Sequence, residues 1–503
     1  MNTPTIRADS LVSIADSARR RINGTLNATR NTLGQFMTPG EIASFMAGFF
    51  QTNRASVRIL DPGAGVGTLT ASLVERFLAM KRHPQSIVAI CYEIDSGLFE
   101  QLAKTLDACH QQCKRQGVRF GFDIRREDYI RAGSTAMLGI LSRDTEMFDC
   151  VVMNPPYHKI RSHSDTRLQL RSVGIETSNL YSAFMLLAAR QLNPLGEFVS
   201  ITPRSFCNGP YFREFRREFL RLLDIRHIHV FESRTDAFSE DDVLQENVIV
   251  YGVRQPAQDH PIGVSITSAL GAVSSISVHR RQIVRPDDPE AIIHIVTDGD
   301  GHDVAERMLR LPETLDSLGL SVSTGRVVDF RARDHLRAKA GFDTAPLIYS
   351  AHFRDGMVRW PNSSTRKPNA IVANDVTASL LVPAGFYVLT KRFSAKEERR
   401  RVVAAVYDPR QISAQRVGFD NKTNYLHRGN VGMDERLARG LAIFLNSAMV
   451  DRYFRLFSGH TQVNSADLRR LRYPSIVQLR MLADTVHELG DQTKIDTAVS
   501  RLP

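Results

Sequence analysis

The order in which short apolar segments and helical patterns alternate in the first half of the chain limits the possible folds most. Apolar runs of strand length occur at residues 56–60, 87–92, 120–124, 148–153, 197–202 and 248–253. Apolar residues at helical spacing follow the first two runs, at 69–80 and 97–113, and recur near 212–223. Strands that alternate with helices in this way predict an α/β domain with a mainly parallel sheet.

A glycine-rich turn joins the first predicted strand to the first predicted helix. Its sequence is Asp61-Pro62-Gly63-Ala64-Gly65-Val66-Gly67. Glycines let a backbone approach a ligand closely, and the N-terminus of the following helix offers free N–H groups. The glycines alternate singly and do not match the G-x-G-x-x-G of dinucleotide enzymes. The turn alone predicts a cradle for a nucleotide-like ligand, with a turn that binds nothing as the alternative.

Acidic residues follow the next two predicted strands. Glu93 ends the second strand, 32 residues after Asp61, at the position that binds ribose hydroxyls in doubly wound folds. Asp128 follows the third strand, where it can accept a hydrogen bond from an adenine amino group. A surface acid is the alternative for Glu93, and a plain loop residue is the alternative for Asp128.

The fourth predicted strand ends in the most specific motif of the chain, Asn154-Pro155-Pro156-Tyr157. Two prolines stiffen a turn at the carboxyl edge of a parallel sheet, where ligands bind. Such a turn can direct the side-chain carbonyl of Asn154 and the backbone carbonyl of Pro155 into one pocket, and two such acceptors suit a planar NH2 donor. Tyr157 offers a flat face on which a heterocycle can stack. The motif therefore predicts a site for the amino group of a base.

The basic residues are unevenly distributed along a chain whose net charge is +11. Residues 1–320 contain 36 Lys and Arg against 37 Asp and Glu, whereas residues 321–503 contain 29 against 17, a net of +12. Such an excess favours an acidic or polyanionic partner or an anionic membrane surface, and a solvated basic surface is the alternative.

The pattern of predicted elements also changes along the chain, at about Leu311. Short mixed elements follow, with loops predicted at 360–368 and 418–429 and a longer helical stretch at 437–457. We therefore predict two domains, residues 1–310 and 311–503.

Other features of the sequence exclude several classes of protein. No apolar run approaches the roughly 20 residues that a membrane span needs, and the first four residues lack the features of a secretory signal. Five scattered cysteines are too few for a disulfide framework, and no C-x-x-C pair is present to complete a zinc site. We expect reduced thiols, no metal and a cytoplasmic protein.

Taken in order, these motifs resemble those of S-adenosylmethionine-dependent methyltransferases that modify DNA adenine at N6. The order resembles the gamma class of type II restriction-modification methylases, in which the target-recognition domain comes last. The segments that carry the resemblance are Gln35-Phe36-Met37-Thr38-Pro39, residues 61–67, Glu93, Asp128-Tyr129 and residues 154–157. The asparagine form of the last motif favours adenine N6 over cytosine N4. The C-terminal segments 458–464 and 471–474 also resemble the end of such recognition domains, less specifically.

The resemblance implies a Rossmann-like S-adenosylmethionine-binding sheet followed by a mixed α+β target-recognition domain. It places Thr38 and Pro39 against the methionine moiety. Further residues that it implies at the cofactor are Asp61, Gly63, Gly65, Glu93 at the ribose, Ile94 at the adenine ring, Asp128 at the adenine N6 and Asn154. It implies that Asn154, Pro155, Pro156 and Tyr157 form the catalytic turn. Phe238 is the candidate for the aromatic side chain that stacks on the extruded base opposite Tyr157, with a core phenylalanine as the alternative.

The activity implied is site-specific, adenine-specific methylation of double-stranded DNA that protects a bacterial host from a cognate endonuclease. We expect a separately encoded endonuclease, a monomeric enzyme and association with the nucleoid through DNA. Candidate phosphate contacts are Lys391, Arg392, Arg399, Arg400, Arg401, Arg331, Arg333, Lys339, Arg366 and Lys367. The alternatives are an amino-methyltransferase of rRNA or protein, and a non-catalytic DNA-binding protein on a methyltransferase fold.

Overall fold

The computed structural model describes residues 10–25, 37–139, 146–231, 247–267, 272–286, 288–295, 299–364, 366–394, 398–457 and 462–502. The chain divides into two compact units, Met1–Thr297 (unit 1) and Asp298–Pro503 (unit 2). Counted over these units, the sequence holds 34 Lys and Arg against 31 Asp and Glu in unit 1, and 31 against 23 in unit 2. The net charges are therefore +3 and +8, a smaller contrast than a division at residue 320 gives, because acidic residues are frequent between 298 and 320. The domain boundary at 310 stays a prediction.

Unit 1 alternates strands and helices as its sequence predicts. Its helices are α1 Leu11–Thr25, α2 Gly40–Ala47, α3 Thr68–Leu78, α4 Phe99–Arg115, α5 Tyr129–Leu138, α6 Asp165–Ser172, α7 Leu180–Arg190, α8 Arg213–Leu222 and the short α9 Arg280–Ile283. Its strands are β1 Ser56–Pro62, β2 Ser86–Tyr92, β3 Arg119–Arg125, β4 Phe148–Met153, β5 Leu192–Pro203, β6 Leu223–Phe231, β7 Asn247–Arg254, β8 Ile262–Thr267 and β9 Val273–Val278.

The nine strands form one mixed sheet in the order β3-β2-β1-β4-β5-β7-β6-β8-β9. The first five strands in this order are parallel, which confirms the predicted α/β fold. The strand order reverses between β1 and β4, and ligands of such sheets bind outside the carboxyl ends of the strands at this point. Strand β7 is antiparallel to β5 and β6, so its first residues lie at the same edge.

Helices α1 to α4 cover one face of the sheet, because their apolar residues share one hydrophobic cluster with β1, β2 and β4. The N-terminus of α2 is held by α1: Asp16, which is buried, accepts a hydrogen bond from the backbone N–H of Gly40 at 2.9 Å and from Nε of Arg19 at 2.7 Å. This contact fixes the two residues that precede α2, Thr38 and Pro39, beside the sheet.

Unit 2 contains two sheets and a set of helices. Its helices are α10 Gly299–Arg310, α11 Glu435–Leu445, α12 Ala448–Phe457, α13 Ser465–Arg469, α14 Ile476–Thr485 and α15 Gln492–Ser500. Its strands are β10 Ser321–Thr324, β11 Leu336–Arg337, β12 Thr344–Ile348, β13 Phe353–Arg354, β14 Met357–Val358, β15 Ala370–Val372, β16 Leu381–Pro383, β17 Tyr387–Lys391, β18 Ala404–Tyr407, β19 Arg416–Phe419 and β20 Thr423–His427. The strand orders are β10-β20-β17-β18-β14-β13 and β11-β15-β12-β19-β16.

Two predictions for unit 2 need correction. The loop predicted at 418–429 is wrong, because β19 and β20 occupy most of it and a short turn at residues 420–422 joins them. One of its buried polar residues, Asn424, is bonded through Nδ2 to the backbone oxygen of Val463 at 2.8 Å, whereas Oδ1 of Asp420 and the hydroxyl of Tyr425 have no hydrogen-bond partner among the described residues. The helical stretch predicted at 437–457 is two helices, α11 and α12, which meet at Asn446 and Ser447.

Two features concern the predictions about membrane spans and about the cysteines. No helix in the described ranges is long and apolar enough to cross a membrane. All five cysteines are buried and none forms a disulfide, as their spacing predicts.

Candidate active site at the carboxyl edge of the sheet

The glycine turn is folded back onto the end of β2. The backbone N–H groups of Gly63 and Ala64 both donate to the carbonyl oxygen of Tyr92, at 2.9 and 2.8 Å. Gly65 has a φ of 58° and its N–H donates to Oε2 of Glu93 at 2.8 Å. The left-handed backbone conformation at Gly65 is one that glycine adopts without steric cost, and it directs this N–H toward the acid of the next strand.

Gly67 serves packing rather than ligand approach. Its φ is 84°, and a Cβ at this position would lie 2.9 Å from Cδ1 of Leu102 and 3.2 Å from Cγ2 of Thr105, both on α4. The last glycine of the turn therefore lets α3 approach α4 closely. A Cβ at Gly63 would meet nothing nearer than 3.9 Å among the residues that the structure describes.

The Gly67→Ala variant should be destabilised more than a variant that changes backbone conformation alone. Gly117→Ala is the matched control, because Gly117 has a φ of 73° and a Cβ placed there would have no described atom within 4 Å. The steric conflict with α4 should add about 1–3 kcal/mol to the free energy lost by the control. Urea unfolding of the two variants measures the difference, and equal losses would contradict the packing role.

Glu93 is buried, with 2% of its surface exposed, and its carboxylate binds three backbone N–H groups. Oε1 accepts from Ile94 and Asp95, each at 2.8 Å, and Oε2 accepts from Gly65. Burial raises the pKa of Glu93 even though these bonds oppose the rise. Since Oε2 accepts only one of these bonds, it retains capacity to accept from a hydroxyl group. The next side chain, Ile94, is 53% exposed and offers an apolar surface at the same edge.

Asp61 is fully buried at the end of β1. Its Oδ2 accepts from the hydroxyl of Thr70 at 2.7 Å, but its Oδ1 has no hydrogen-bond partner among the described residues. Burial, with a smaller contribution from the negative charge of Glu93, raises the pKa of Asp61 to about 7. A buried carboxylate oxygen without a partner is costly, so this site fits a ligand that brings a cationic or N–H donor.

Asp128 is exposed and forms the N-cap of α5. Its Oδ1 accepts from the backbone N–H of Ile130 at 2.7 Å and of Arg131 at 3.3 Å. Satisfying the free N–H groups of a helix in this way typically contributes about 1 kcal/mol. The residue thus has a structural role that was not predicted from the sequence, and its role at an adenine amino group stays a prediction.

The Asn-Pro-Pro-Tyr turn follows β4, and its asparagine is held at both ends. Nδ2 of Asn154 donates to Oγ1 of Thr38 at 3.0 Å, and Oδ1 of Asn154 accepts from the hydroxyl of Tyr157 at 2.8 Å. Burial raises the pKa of Tyr157, so this hydroxyl is protonated and donates. The structure therefore brings together Thr38 and Asn154, which lie 116 residues apart, and fixes the plane of the amide.

The rest of the turn lies among aromatic residues. Pro155 is buried, whereas Pro156 and Tyr157 are half-buried. The ring of Tyr157 packs edge-on against Tyr181 with 6.3 Å between centroids, and the hydroxyl of Tyr181 bonds to Ser205 at 2.9 Å. The edge contact fixes the tilt of the Tyr157 ring.

A group of buried polar side chains on β5 and β7 was not predicted from the sequence. Ser200, Thr202 and Asn247 are buried, and within the described ranges the two hydroxyls and both amide atoms of Asn247 lack hydrogen-bond partners. Ser200 and Thr202 lie near the carboxyl end of β5. Asn247 is the first residue of β7 and pairs with Pro203, the last residue of β5. Only the pairing register brings them to the edge that carries Asn154. Phe238, Gln35 and Phe36 lie outside the described residues.

The basic residues proposed to bind phosphate differ in their burial and in their contacts within unit 2. Arg401 is 1% exposed and packs over the ring of Phe454, so the prediction that it contacts phosphate is wrong. The guanidinium of Arg400 donates to the backbone oxygen of Asn446. Lys391 forms an ion pair with Glu398 at 2.6 Å. Three consecutive arginines in the sequence therefore do not make three surface charges.

Comparisons with known proteins agree with this architecture. Residues 97–238 match the model of the Eco57I restriction-modification methylase family. The chain is 42% identical over 497 residues to the type II methyltransferase M.PstI of Providencia stuartii, covering 98% of this chain and 97% of that protein. It is 38% identical over 501 residues to the type II methyltransferase M.BsuBI of Bacillus subtilis, covering 98% of each. A solved structure of the type IIL restriction-modification enzyme MmeI in complex with DNA covers 98% of this chain and 75% of that chain, with a TM-score of 0.52 and 12% identity, a similarity of fold alone.

The parallel strands, with the glycine turn and the Asn-Pro-Pro-Tyr turn at one edge, thus provide the framework of a methyltransferase. The chain belongs to the type II methyltransferases, as its identity to two full-length relatives shows. The resemblance drawn from the sequence motifs to a restriction-modification methylase is confirmed.

Proposed function

We propose that this protein is a site-specific DNA methyltransferase that modifies N6 of adenine in duplex DNA. Its cofactor is S-adenosylmethionine, which supplies an electrophilic methyl group when it is bound. The observation that carries the proposal is the amide of Asn154, held by Thr38 at its nitrogen and by Tyr157 at its oxygen. A fixed amide at the carboxyl edge of the sheet suits a planar amine that must be oriented before it reacts.

The chemistry needs an amine whose lone pair is directed out of the ring. The exocyclic nitrogen of adenine is a poor nucleophile because its lone pair is delocalised. Oδ1 of Asn154 and the backbone oxygen of Pro155 would accept the two N6–H groups and turn the lone pair away from the base. The hydroxyl of Tyr157 occupies one acceptor position of Oδ1, which leaves capacity for a second donor. Orientation is then the main contribution, and no general base is needed before attack.

The residues proposed to hold the cofactor lie in the glycine turn, after the strands beside it and before α2. Asp61 has an Oδ1 without a partner in the described residues, which fits a cationic amino group, and Oε2 of Glu93 can accept from a ribose hydroxyl. Gly63 and Gly65 border this space with no side chain, while the exposed Ile94 offers an apolar surface to a purine ring. Thr38 and Pro39 would flank the methionine moiety, and Asp128 the adenine N6.

Methylation of a paired base requires that the base be extruded, which costs a few kcal/mol. The partner proposed is double-stranded DNA, with phosphate contacts from basic residues of unit 2. Phe238 is the aromatic side chain proposed to stack opposite Tyr157.

We also propose that the enzyme is a monomer and that a separate protein is its cognate endonuclease. The setting is the bacterial cytoplasm at the nucleoid, and the relatives come from bacteria.

Transfer of a radiolabelled methyl group to duplex DNA, ribosomal RNA and protein in parallel reactions tests the substrate class. We expect label in duplex DNA alone, and no label with the Asn154→Ala variant. Label in ribosomal RNA or protein instead of DNA would show that the proposed substrate class is wrong. Cofactor binding without label in any acceptor would instead indicate a non-catalytic DNA-binding protein.

A further inference from the structure

An exposed segment of unit 2 carries basic side chains at alternate positions. This segment, residues 330–342, is called the basic edge segment. Its four basic residues are all exposed: Arg331, Arg333, Arg337 and Lys339. Between them, the buried Ala332 and the half-buried Leu336 pack into a hydrophobic cluster of unit 2. Leu336 and Arg337 form β11, the edge strand of the five-stranded sheet. Apolar anchors thus hold the segment in place while its cations face outward.

These cations differ from many others in unit 2 in their electrostatic surroundings. Arg480 pairs with Asp434 at 3.0 Å and Lys494 pairs with Glu488 at 3.0 Å, and Arg436 pairs with Asp484. Within the described ranges, no ion pair includes Arg331, Arg333, Arg337 or Lys339, although the segment also carries one exposed acid, Asp334. The guanidinium of Arg337 donates to the backbone oxygens of Asp334 and Leu336. Their positive charge is therefore available to a polyanion.

Two phenylalanines bound the same segment. Phe330 is 77% exposed and Phe342 is fully exposed, and the guanidinium of Arg331 lies over the Phe330 ring at 5.5 Å. Charged side chains on an edge strand can simply prevent pairing with another sheet. That role does not involve the two exposed rings, which offer apolar surfaces at the two ends of the segment.

We propose that the basic edge segment contacts duplex DNA, with Arg331, Arg333 and Lys339 on phosphates and Phe342 against the bases. This inference rests on the proposed function and specifies the surface that holds the substrate. Basic side chains beside an aromatic ring match the two parts of a nucleic acid, its phosphates and its base faces. Apolar side chains that enter a groove also unstack base steps.

The salt dependence of DNA affinity tests the phosphate contacts. The variant Arg331→Ala, Arg333→Ala, Lys339→Ala is compared with a control, Arg436→Ala, Arg480→Ala, Lys494→Ala, which removes the same charge from exposed but ion-paired positions. The probe is a fluorescein-labelled duplex that the wild-type protein methylates, with full-length protein. The slope of log Kd against log salt concentration should fall by about 0.9 for each phosphate that the variant no longer neutralises. The expected decrease is thus roughly 2 to 3 for the test variant and little for the control. A slope equal to that of the wild type would overturn the assignment.

Phe342→Ala tests the base contact, with Val477→Ala as a control at another exposed apolar position. Loss of a stacked ring should weaken binding about tenfold without changing the salt slope, because no charge is removed. Unchanged affinity would exclude Phe342 from the interface. If the wild-type protein neither binds nor methylates DNA, the proposed function fails. If it does both and the variants behave like it, only this inference fails.

Discussion

Replacing Asn154 with alanine should reduce the rate of methyl transfer to DNA by about 10³-fold while cofactor affinity changes little. Removal of one fixed polar group at a reacting centre typically costs about 10²- to 10³-fold, and this variant also abolishes the orientation of the amine. The contacts with Thr38 and Tyr157 disappear with the side chain, but Thr38 itself remains and the other proposed cofactor contacts, the glycine turn, Asp61 and Glu93, are untouched. Single-turnover rates measure the first effect and calorimetric titration of S-adenosylmethionine measures the second.

Tyr157→Phe is the matched control for Asn154→Ala. It keeps the ring and its edge contact with Tyr181 and removes only the hydroxyl that holds Oδ1 of Asn154. Because Thr38 still holds the nitrogen end of the amide, we expect the rate of methyl transfer to fall by roughly tenfold. This corresponds to the free energy of about one hydrogen bond. Near wild-type transfer by the alanine variant would contradict the catalytic role of Asn154, and a parallel loss of cofactor binding would show a structural role instead.

Asp61→Asn should weaken cofactor binding by about 10- to 100-fold at pH 8, since hydrogen bonds to charged groups contribute about 1.5–3 kcal/mol. It should also remove a pH dependence. The pKa of Asp61 is raised to about 7, and a cationic amino group binds the ionised carboxylate. In the wild type, affinity should therefore rise about tenfold per pH unit up to pH 7, because binding displaces a proton from Asp61 only below its pKa, and should fall again above about pH 8, where an α-amino group of the cofactor loses its proton.

Asp123→Asn is the control for this profile, because Asp123 is an acid on β3 whose side chain is half exposed and pairs with Arg125. It should keep both the affinity and the pH dependence of the wild type. Calorimetric titrations between pH 5.5 and 8.5 measure both variants. An Asp61→Asn variant whose affinity still rises tenfold per pH unit would show that another group binds the cofactor's cation.

The parts of the site that could be predicted from sequence are those with local determinants. The glycine turn needs backbone conformations that glycine supplies, and the proline pair stiffens its own turn, so both appear in four to seven consecutive residues. The N-cap role of Asp128 also has a local signal, since an acid directly before a helical pattern is typical of a cap. The same position suits an acid that binds a ligand, so the local pattern alone does not separate the two roles.

The rest depends on contacts between distant parts of the chain. The bond between Thr38 and Asn154 could be expected only from the family resemblance, because no local pattern links residues 116 positions apart. The amide of Asn247, without a partner in the described residues, becomes notable only when β7 pairs antiparallel with β5. The prediction for Arg401 was wrong for the same reason: burial is decided by tertiary packing, and a run of arginines does not reveal which one is inside.

The most direct test of the central claim is the identity of the methylated nucleoside. DNA methylated by the purified protein is digested to nucleosides and analysed by mass spectrometry, with DNA treated by the Asn154→Ala variant as the blank. We expect N6-methyl-2′-deoxyadenosine in the wild-type reaction and none in the blank. N4-methyl-2′-deoxycytidine, or a methylated nucleoside in equal amounts in both reactions, would contradict adenine methylation at this site.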